Sequence, residues 1–325
     1  MYKSSSLFFM MMICGTMITI SSSNWISMWM GLELNMMSFI PLIYNKSNKS
    51  SEACMIYFLV QSLSSGVLMF SILMSKMWNI QEITLNWLMS ISLLIKMGAA
   101  PFHMWFPEMM AKMSWLNCFI LMTWQKLAPL FMMSNINKDM QLLMMTTLLS
   151  VVAGVVGGLN QTSLRKLMAY SSINHLGWML PMTLSESWIN YMWIYTVINL
   201  TVCLMFSKLN IMFINQVNSL SMSMAEKLMY MINMFSLGGL PPFLGFLAKL
   251  ITIYELTHRG MYMLMFIMIM MSIITLFYYM RIMTSMLLSY QSINKWITTN
   301  NKMTLPLMTL LINMMTPLAY MLTFI

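Results

Sequence analysis

Apolar residues along the chain fall into long runs that are separated by short polar breaks. Many runs approach the roughly 20 residues that an α-helix needs to cross about 30 Å of hydrocarbon. Short alternating strands, which a membrane β-barrel requires, are few, and lipid offers no partner to unpaired backbone groups. The pattern therefore predicts an all-α integral membrane fold with about 11 transmembrane helices, near residues 6–22, 24–44, 53–75, 84–106, 115–133, 140–160, 163–182, 188–207, 228–250, 261–281 and 303–324.

Composition supports a membrane protein and excludes a soluble one. Of 325 residues, 59% are hydrophobic and 8% are charged, against about 25% charged in a typical soluble domain. No Pro-, Gly- or Ser-rich linker divides the chain, which is predicted to be a single polytopic membrane domain, 1–325. The net charge of +9 does not indicate nucleic acid, because the basic residues stand singly in short loops.

The basic residues are unevenly distributed between the two sets of loops. Only Lys76, Lys138 and Arg259 fall on the side opposite the N-terminus. Because basic residues concentrate in loops on the inner side of a membrane, we expect the N-terminus on the matrix or cytoplasmic side and the C-terminus outside. The basic residues of the N-terminal side are Lys3, Lys46, Lys49, Lys112, Arg165, Lys166, Lys208, Lys227, Arg281, Lys295 and Lys302.

Two predicted spans contain the same helix-breaking spacing. Residues 98–102 read Gly-Ala-Ala-Pro-Phe, and residues 239–243 read Gly-Leu-Pro-Pro-Phe. Because Pro removes a backbone donor and Gly relaxes the chain, each span is predicted to be a broken helix. The breaks fall in the fourth helix of two five-helix units, about 5–134 and 139–285, which would be inverted repeats followed by a last helix, 303–324. Two unrelated proline kinks are the alternative.

Four ionisable residues fall well inside predicted spans, namely Glu33, Lys96, Lys126 and Lys249. A charge at a helix centre costs about 2.5–3.5 kcal/mol on insertion scales, so such residues are expected to have a function. Burial favours a neutral lysine and a neighbouring carboxylate favours a charged one, so a lysine whose partner moves can gain and release a proton. The four residues are therefore predicted to form a proton relay. Snorkelling, above all of Lys249, or a static Glu–Lys pair is the alternative.

His175 is a weaker candidate for the same relay. It lies mid-span in the polar stretch Tyr170–His175, which could hold water and join the two halves of the chain. A simple hydrogen bond to a neighbouring carbonyl is the alternative. Glu108 and Lys112, by contrast, lie one helical turn apart after the fourth span and are predicted to form a surface ion pair.

Motifs for nucleotides, metals or iron–sulfur clusters are absent from the sequence. There is no G-x-G-x-x-G after a strand and no G-x-x-x-x-G-K-[ST], and the four cysteines show no C-x-x-C spacing. No cofactor is therefore expected in this chain, and its energy must come from a partner or from an ion gradient. The 50 methionines are typical of an animal mitochondrial genome, whose code reads one isoleucine codon as methionine.

Five segments resemble motifs of the antiporter-like membrane subunits of mitochondrial NADH:ubiquinone oxidoreductase. They occur in the same order and across nearly the whole chain. The resemblance implies the antiporter-like fold, with two inverted five-helix repeats, and agrees with eleven spans. The segments are Met30–Asn35, Lys96–Trp105, Thr123–Pro129, Arg165–Ser172 and Gly238–Phe243.

The resemblance also implies roles for the buried charges. Glu33 and Lys96 would be the modulating pair of a first half-channel, Lys126 would connect it to the second half, and Lys249 would be the terminal proton-exchange lysine. NADH, FMN, iron–sulfur clusters and ubiquinone would be bound by partner subunits. The chain would lie in the mitochondrial inner membrane, N-terminus in the matrix and C-terminus in the intermembrane space, among other membrane-arm and accessory subunits and lipids.

Two other functions remain open at this point. The fold is also similar to that of autonomous cation/proton antiporters, which work without a redox complex. Alternatively, the chain could be a structural scaffold that spaces its neighbours, and neutralising Lys96 or Lys126 would then leave proton translocation intact. Short loops and the collinear motifs favour a proton-relaying subunit of the respiratory enzyme.

Overall fold

A computed structural model describes residues 2–45, 47–77, 82–136, 140–219, 224–288 and 313. In these residues the secondary structure is helical, apart from one isolated antiparallel bridge, so the predicted all-α class is confirmed. The elements are α1 (Tyr2–Ser21), α2 (Trp25–Ile43), α3 (Asn48–Met77), α4 (Glu82–Met97), α5 (Trp105–Lys112), α6 (Trp115–Met122), α7 (Trp124–Asn135), α8 (Met140–Leu159), α9 (Leu164–Met179), a 3₁₀ helix (Leu180–Leu184), α10 (Trp188–Leu209), α11 (Ile214–Ser219), α12 (Met224–Gly238), α13 (Leu244–His258) and α14 (Tyr262–Leu288).

Five of the predicted spans, 24–44, 53–75, 140–160, 188–207 and 261–281, each coincide with one described helix that is long and apolar enough to cross a membrane. The predicted spans at 84–106, 115–133 and 228–250 are instead divided between two shorter helices each. The eleventh predicted span lies outside the described residues except for Asn313, so the count of eleven and the inverted repeats stay predictions. Within the described residues, the helical stretches long and apolar enough to cross a bilayer are Trp25–Ile43, Asn48–Ser75, Met140–Leu159, Trp188–Leu209 and Tyr262–Thr284.

Both predicted breaks are present, and they have the same backbone structure. α4 and α12 are terminated by Gly98 and Gly239, whose φ values are 70° and 73°. Glycine adopts this left-handed conformation without the clash that a Cβ would cause. The N–H that follows each glycine bonds to a carbonyl five residues earlier, at 3.0 Å after Gly98 and 3.2 Å after Gly239. The prolines that come next cannot continue the helix.

The fifth predicted span, 115–133, contains a break that the sequence analysis misses. α6 ends and α7 begins at Thr123, whose φ and ψ are −114° and −71°. The Thr123 hydroxyl donates to the Phe119 carbonyl at 2.7 Å, a bond that bends helices, and Pro129 in α7 lacks a backbone donor. The prediction of one continuous helix is therefore wrong here, and the break lies one turn before Lys126.

α9 is a central helix of the bundle, since 13 of its 16 residues are buried. It packs closely against α8 because Gly154 has no side chain. A Cβ at that position would lie 2.6 Å from the backbone nitrogen of Asn174. Small residues allow helices to approach in membranes, where no hydrophobic force drives them together. This close packing holds His175, the next residue of α9, in the interior.

Contacts between loops gather basic residues at one end of the bundle. Arg281 donates to the carbonyl of Leu159, the last residue of α8, and to that of Gln161 in the loop between α8 and α9. The same loop pairs with the one after α10 through a bridge between Ser163 and Phe213. Arg165, just beyond it, donates to the Met113 carbonyl between α5 and α6. We call the end formed by these loops the basic face, and its residues come from the side that the sequence predicts to be rich in Lys and Arg.

The predicted surface pair between Glu108 and Lys112 is wrong. The Lys112 ammonium lies instead 2.8 Å from the Glu52 carboxylate, which belongs to the N-terminal part of α3. α5 packs against α3, so a tertiary contact supplies a partner that spacing along one helix does not indicate. Both side chains are partly exposed, which makes this a surface contact.

Candidate functional site

The first predicted pair, Glu33 and Lys96, is brought together without direct contact. Lys96 lies in the last turn of α4, immediately before the break, and is 6% exposed. Glu33 interacts with it electrostatically, but the described residues contain no ion pair between them. One carboxylate oxygen of Glu33 is buried and accepts no hydrogen bond from any described residue. The two charges are therefore coupled across a gap.

A small cavity lies between Lys96 and Lys126. Its volume is about 20 Å³, which is room for one water molecule, since a water needs roughly 10–15 Å³ on this measure. Polar side chains from α2, α3 and α7 line it together with both lysines. A water here would stand between the two ammonium-bearing side chains.

Three neutral side chains at this cavity form a chain of hydrogen bonds. The Tyr57 hydroxyl donates to Gln125 Oε1 at 3.1 Å, and Gln125 Nε2 donates to Asn35 Oδ1 at 3.0 Å. Gln61, from α3, donates to the backbone carbonyl of Lys96 at 3.2 Å. The sequence analysis did not single out these residues, because a lone amide or phenol in an apolar run is common in packed helices. The signal that could have identified two of them is their position in the sequence, since Asn35 is close to Glu33 and Gln125 immediately precedes Lys126.

Lys126 is the most deeply buried of the predicted lysines, with 1% of its surface exposed. Its ammonium donates to the Ser172 carbonyl of α9 at 3.1 Å. It also lies 5.2 Å from the ring centre of Phe106 and 5.6 Å from that of Tyr195, where the ring faces attract a cation. No described acidic side chain pairs with it, so a static ion pair does not explain its burial.

His175 lies between Lys126 and Lys249, and it interacts electrostatically with both. Its Nδ1 is 2.8 Å from the Tyr191 hydroxyl, and its ring centre is 4.9 Å from that of Tyr195. The hydrogen bond of His175 Nδ1 is therefore made with a side-chain hydroxyl, and not with a neighbouring carbonyl as in the alternative prediction. The position is that of a bridge between the two lysines.

Lys249 is directed to the second break instead of the membrane surface. It starts from α13, and its ammonium donates to the carbonyl of Gly238, the last residue of α12, at 2.7 Å. The ammonium also lies 5.7 Å from the ring centre of Trp178. With 6% exposure, the side chain does not snorkel. It therefore sits where α12 presents its negative dipole end.

The site as a whole is a row of proton-accepting groups without a metal or a thiol. Its order is Glu33, Lys96, the small cavity, Lys126, His175 and Lys249. The described residues contain no group of three or more His, Cys, Asp or Glu side chains arranged for a metal ion, and the four cysteines are free. Groups of this type, buried in a membrane bundle and with room for one water molecule between Lys96 and Lys126, are suited to passing protons.

Comparison with known proteins places this chain in a family. Residues 22–275 match the family model described as NADH:quinone oxidoreductase/Mrp antiporter, TM. The chain belongs to this family. The family member NADH-ubiquinone oxidoreductase chain 2 of Locusta migratoria is 44% identical over 309 residues, covering 92% of this chain and 90% of that one. The chain 2 of Anopheles gambiae is 45% identical with the same coverage, and that of Loxodonta africana is 36% identical, covering 98% of this chain and 97% of its own length.

Solved structures with a similar fold support the helical architecture. A chain of respiratory complex I from Thermus thermophilus with bound aureothin has a TM-score of 0.82 at 19% identity, covering 97% of this chain and 79% of that chain. A chain of the Mrp complex from Dietzia sp. DQ12-45-1b has a TM-score of 0.76 at 16% identity, covering 86% of this chain and 59% of that chain. The helical bundle therefore has a fold that is similar to those of chains in a respiratory complex and an Mrp complex.

Proposed function

We propose that this chain is a core membrane subunit of a proton-pumping NADH:ubiquinone oxidoreductase and relays protons across the mitochondrial inner membrane. The observation that carries the proposal is the row of three buried lysines, none with an acidic side chain in direct contact among the described residues. A buried charge without a partner is costly, so each lysine can be neutral or charged depending on small changes around it. Such groups exchange protons readily.

The relay begins with Glu33 and Lys96 at the first break. When Glu33 interacts more strongly with Lys96, the lysine holds its proton, and when that interaction weakens the proton can leave through water in the cavity to Lys126. From there His175 passes it towards Lys249, which would be the terminal exchange group. Every step moves a proton between neutral and charged forms and requires no redox chemistry in this chain.

The same proposal includes the topology. Eleven spans in two inverted five-helix repeats are supported by the matching backbone structure of the two breaks and by the similarity in fold to a chain of respiratory complex I from Thermus thermophilus. The gathering of basic loops at one face supports an N-terminus in the matrix and a C-terminus in the intermembrane space. NADH, FMN, iron–sulfur clusters and ubiquinone would be bound by partner subunits, and lipids and other membrane-arm subunits would surround the bundle.

An autonomous cation/proton antiporter is the second candidate, because the family model also covers Mrp antiporters. The relatives named NADH-ubiquinone oxidoreductase chain 2 match nine-tenths or more of their own length, which favours the respiratory subunit. A native gel of gently solubilised membranes, stained for NADH dehydrogenase activity and read by peptide mass spectrometry, separates the two. The chain should migrate with the very large active band. Its migration alone at low mass would refute the respiratory proposal.

Removing the charge of one buried lysine distinguishes a structural scaffold from a proton relay. Lys126→Met in the assembled complex should lower the number of protons moved per NADH oxidised in proteoliposomes. In the proposed relay Lys126 connects the cavity beside Lys96 to His175, and methionine cannot carry a proton. Lys208→Met is the matched control, since Lys208 is exposed at the end of α10. A complex with Lys126→Met that assembles and pumps like the control would favour the scaffold. The pumping that Lys126→Met removes defines this chain's contribution.

A further inference from the structure

Gly245, in the first turn of α13, lies directly against the backbone of the second break. A Cβ atom at this position would overlap the carbonyl oxygen of Ser236 in α12 and lie 3.5 Å from the Cα atom of Gly239. The Ser236 carbonyl is itself part of the break, because it accepts a hydrogen bond from the Gly239 N–H at 3.1 Å. The lack of a side chain at Gly245 therefore allows the beginning of α13 to pack on the backbone that ends α12.

Lys249 lies one helical turn after Gly245, on the same face of α13. Its ammonium donates to the carbonyl of Gly238, the last residue of α12, at 2.7 Å. A side chain at Gly245 would meet backbone atoms, which cannot rotate out of its way, so α13 would have to move away from α12. Because the lysine is attached to the same face of α13, its ammonium would move away from the Gly238 carbonyl as well.

An aromatic pair also joins α12 to the start of α13. Phe243, the residue immediately before α13, stacks on Phe235 of α12, with ring centres 5.9 Å apart and planes inclined by 13°. Stacked rings attract each other beyond the effect of the area they bury, so the pair favours the close approach that Gly245 permits. The glycine leaves room for this approach, and the rings provide part of the attraction.

The corresponding residues of the first break are exposed instead of packed. Counted from the left-handed glycine of each break, Met104 has the position of Gly245, and Glu108 has the position of Lys249. Met104 and Glu108 are both exposed. The residue that follows each break at this spacing therefore differs in size, and the charged residue one turn later differs in whether it reaches the interior.

We propose that Gly245 is a positioning residue for Lys249, because its missing side chain lets α13 approach α12 closely enough for the lysine to reach the Gly238 carbonyl. Gly245 takes no part in proton transfer itself. The inference rests on the proposed function, since it requires that Lys249 belongs to the relay. It also explains why a charged side chain is held in the interior after the second break, whereas its counterpart after the first break is exposed.

Gly245→Ala in the assembled complex tests this role through the number of protons moved per NADH oxidised in proteoliposomes. We expect this chain's contribution to fall roughly tenfold, since misplacing a reacting group by 1 Å can cost up to about 100-fold. Lys249→Met is the reference for loss of the lysine. Gly157→Ala is the matched control, because its Cβ would overlap the Tyr170 ring between α8 and α9, outside the second break.

The three variants separate the positioning role from the proposed function. Full pumping by Gly245→Ala, with Lys249→Met impaired, would overturn the positioning role alone. An equal loss with Gly157→Ala would also overturn it, because tight helix packing in general would then account for the effect. Full pumping by Lys249→Met would instead contradict the proposed relay.

Phe235→Leu tests the same close approach if Gly245→Ala does not assemble. The change removes the ring stack without introducing a clash, and we expect a loss of roughly twofold to threefold in this chain's contribution, in keeping with one aromatic pair. Phe102→Leu is its matched control, since Phe102 follows the first break at the position that Phe243 has after the second and is exposed. Equal pumping by the two leucine variants would overturn the inference.

A high-resolution map of Phe235→Leu measures the position of the lysine directly. The Lys249 ammonium should lie farther from the Gly238 carbonyl than the 2.7 Å of the unmodified chain. A longer distance together with reduced pumping would support the positioning role. An unchanged distance would overturn it.

Discussion

At the first helix break the lysine belongs to the helix that ends there, whereas at the second it comes from the helix that begins beyond it. Both breaks have a left-handed glycine and the same hydrogen bond across it. Lys96 lies in the last turn of α4, and Lys249 reaches back from α13 to the last carbonyl of α12. Lys96 is therefore part of the half-helix that ends at its break, whereas the Lys249 ammonium meets the negative dipole end of a half-helix to which it does not belong.

The difference lies in what else each ammonium meets. Lys96 interacts with Glu33 across a gap and has polar neighbours at a cavity. Lys249 has a short bond to Gly238 and the face of Trp178, with no acidic partner among the described residues. The comparison teaches that the same helix break, with a left-handed glycine, can surround a buried lysine with different partners. A charged partner makes the first lysine adjustable, and a backbone carbonyl holds the second in place.

The largest expected difference between the breaks is at their glycines. A Cβ at Gly239 would lie 2.8 Å from Lys249 Nζ, whereas at Gly98 the nearest atom belongs to Phe106, at 3.1 Å. Both Gly→Ala changes should lower stability by about 1–2 kcal/mol because of the left-handed backbone. Gly239→Ala should also reduce this chain's contribution to pumping by roughly tenfold, since misplacing a reacting group by 1 Å can cost up to about 100-fold.

Thermal unfolding of the assembled complex measures the first effect, and dye quenching in proteoliposomes measures the second. Equal pumping by the two alanine variants would mean that Lys249 does not need its position at the break, and the contrast between the breaks would fail.

Neutralising Glu33 should affect the first break and leave the second unchanged. Glu33→Gln removes the charge coupled to Lys96, and we expect this chain's contribution to fall roughly threefold to tenfold, because a separated pair at an effective dielectric near 20 contributes less than one in contact. Glu186→Gln, at an exposed position beside α10, is the control. Unchanged proton transfer with Glu33→Gln would show that Lys96 needs no carboxylate.

The hydrogen-bonded chain at the cavity should have a smaller effect. Gln125→Leu removes both of its bonds to Tyr57 and Asn35, and about 1 kcal/mol for a typical bond predicts a loss of roughly fivefold or less in this chain's contribution. Tyr57→Phe should give a similar loss. The double variant should be no worse than Gln125→Leu, because both changes break one chain. If the losses of the two single variants added in the double variant, Tyr57 and Gln125 would act independently and not as one hydrogen-bonded chain.

The exposed ion pair between Lys112 and Glu52 should have the smallest effect. Lys112→Met removes a contact whose side chains are 29% and 61% exposed, and solvent screening limits such a pair to about 1 kcal/mol or less. Thermal unfolding should shift only slightly, and proton pumping should stay at the level of the unmodified complex. A strong loss of pumping would extend the relay to the basic face.

Local signals in the sequence predicted the parts of this fold that depend on few residues. Gly98 and Gly239, each followed by proline, identify the two breaks because the chemistry is contained in the segment itself. Lys96, Lys126 and Lys249 stand out because a charge in an apolar run is costly wherever the helix packs. The break at Thr123 has no comparable signal, since a threonine in an apolar run usually continues the helix.

Tertiary contacts account for what the sequence could not supply. Glu52 replaces Glu108 as the partner of Lys112 because α3 packs against α5, which spacing along one helix does not reveal. Likewise, Tyr57 and Gln125 are distant in sequence and meet only after the helices pack around the cavity. Neutral polar residues of this kind become recognisable as parts of a site only from their neighbours.

The central claim is that one path joins the two breaks, and double neutralisation tests it most directly. Protons moved per NADH oxidised would be measured for Lys96→Met, for Lys249→Met and for the double variant, each in the assembled complex. Groups in series fail together, so the account predicts that each single variant removes the same contribution and that the double variant removes no more. Two partial losses that add in the double variant would contradict a single path.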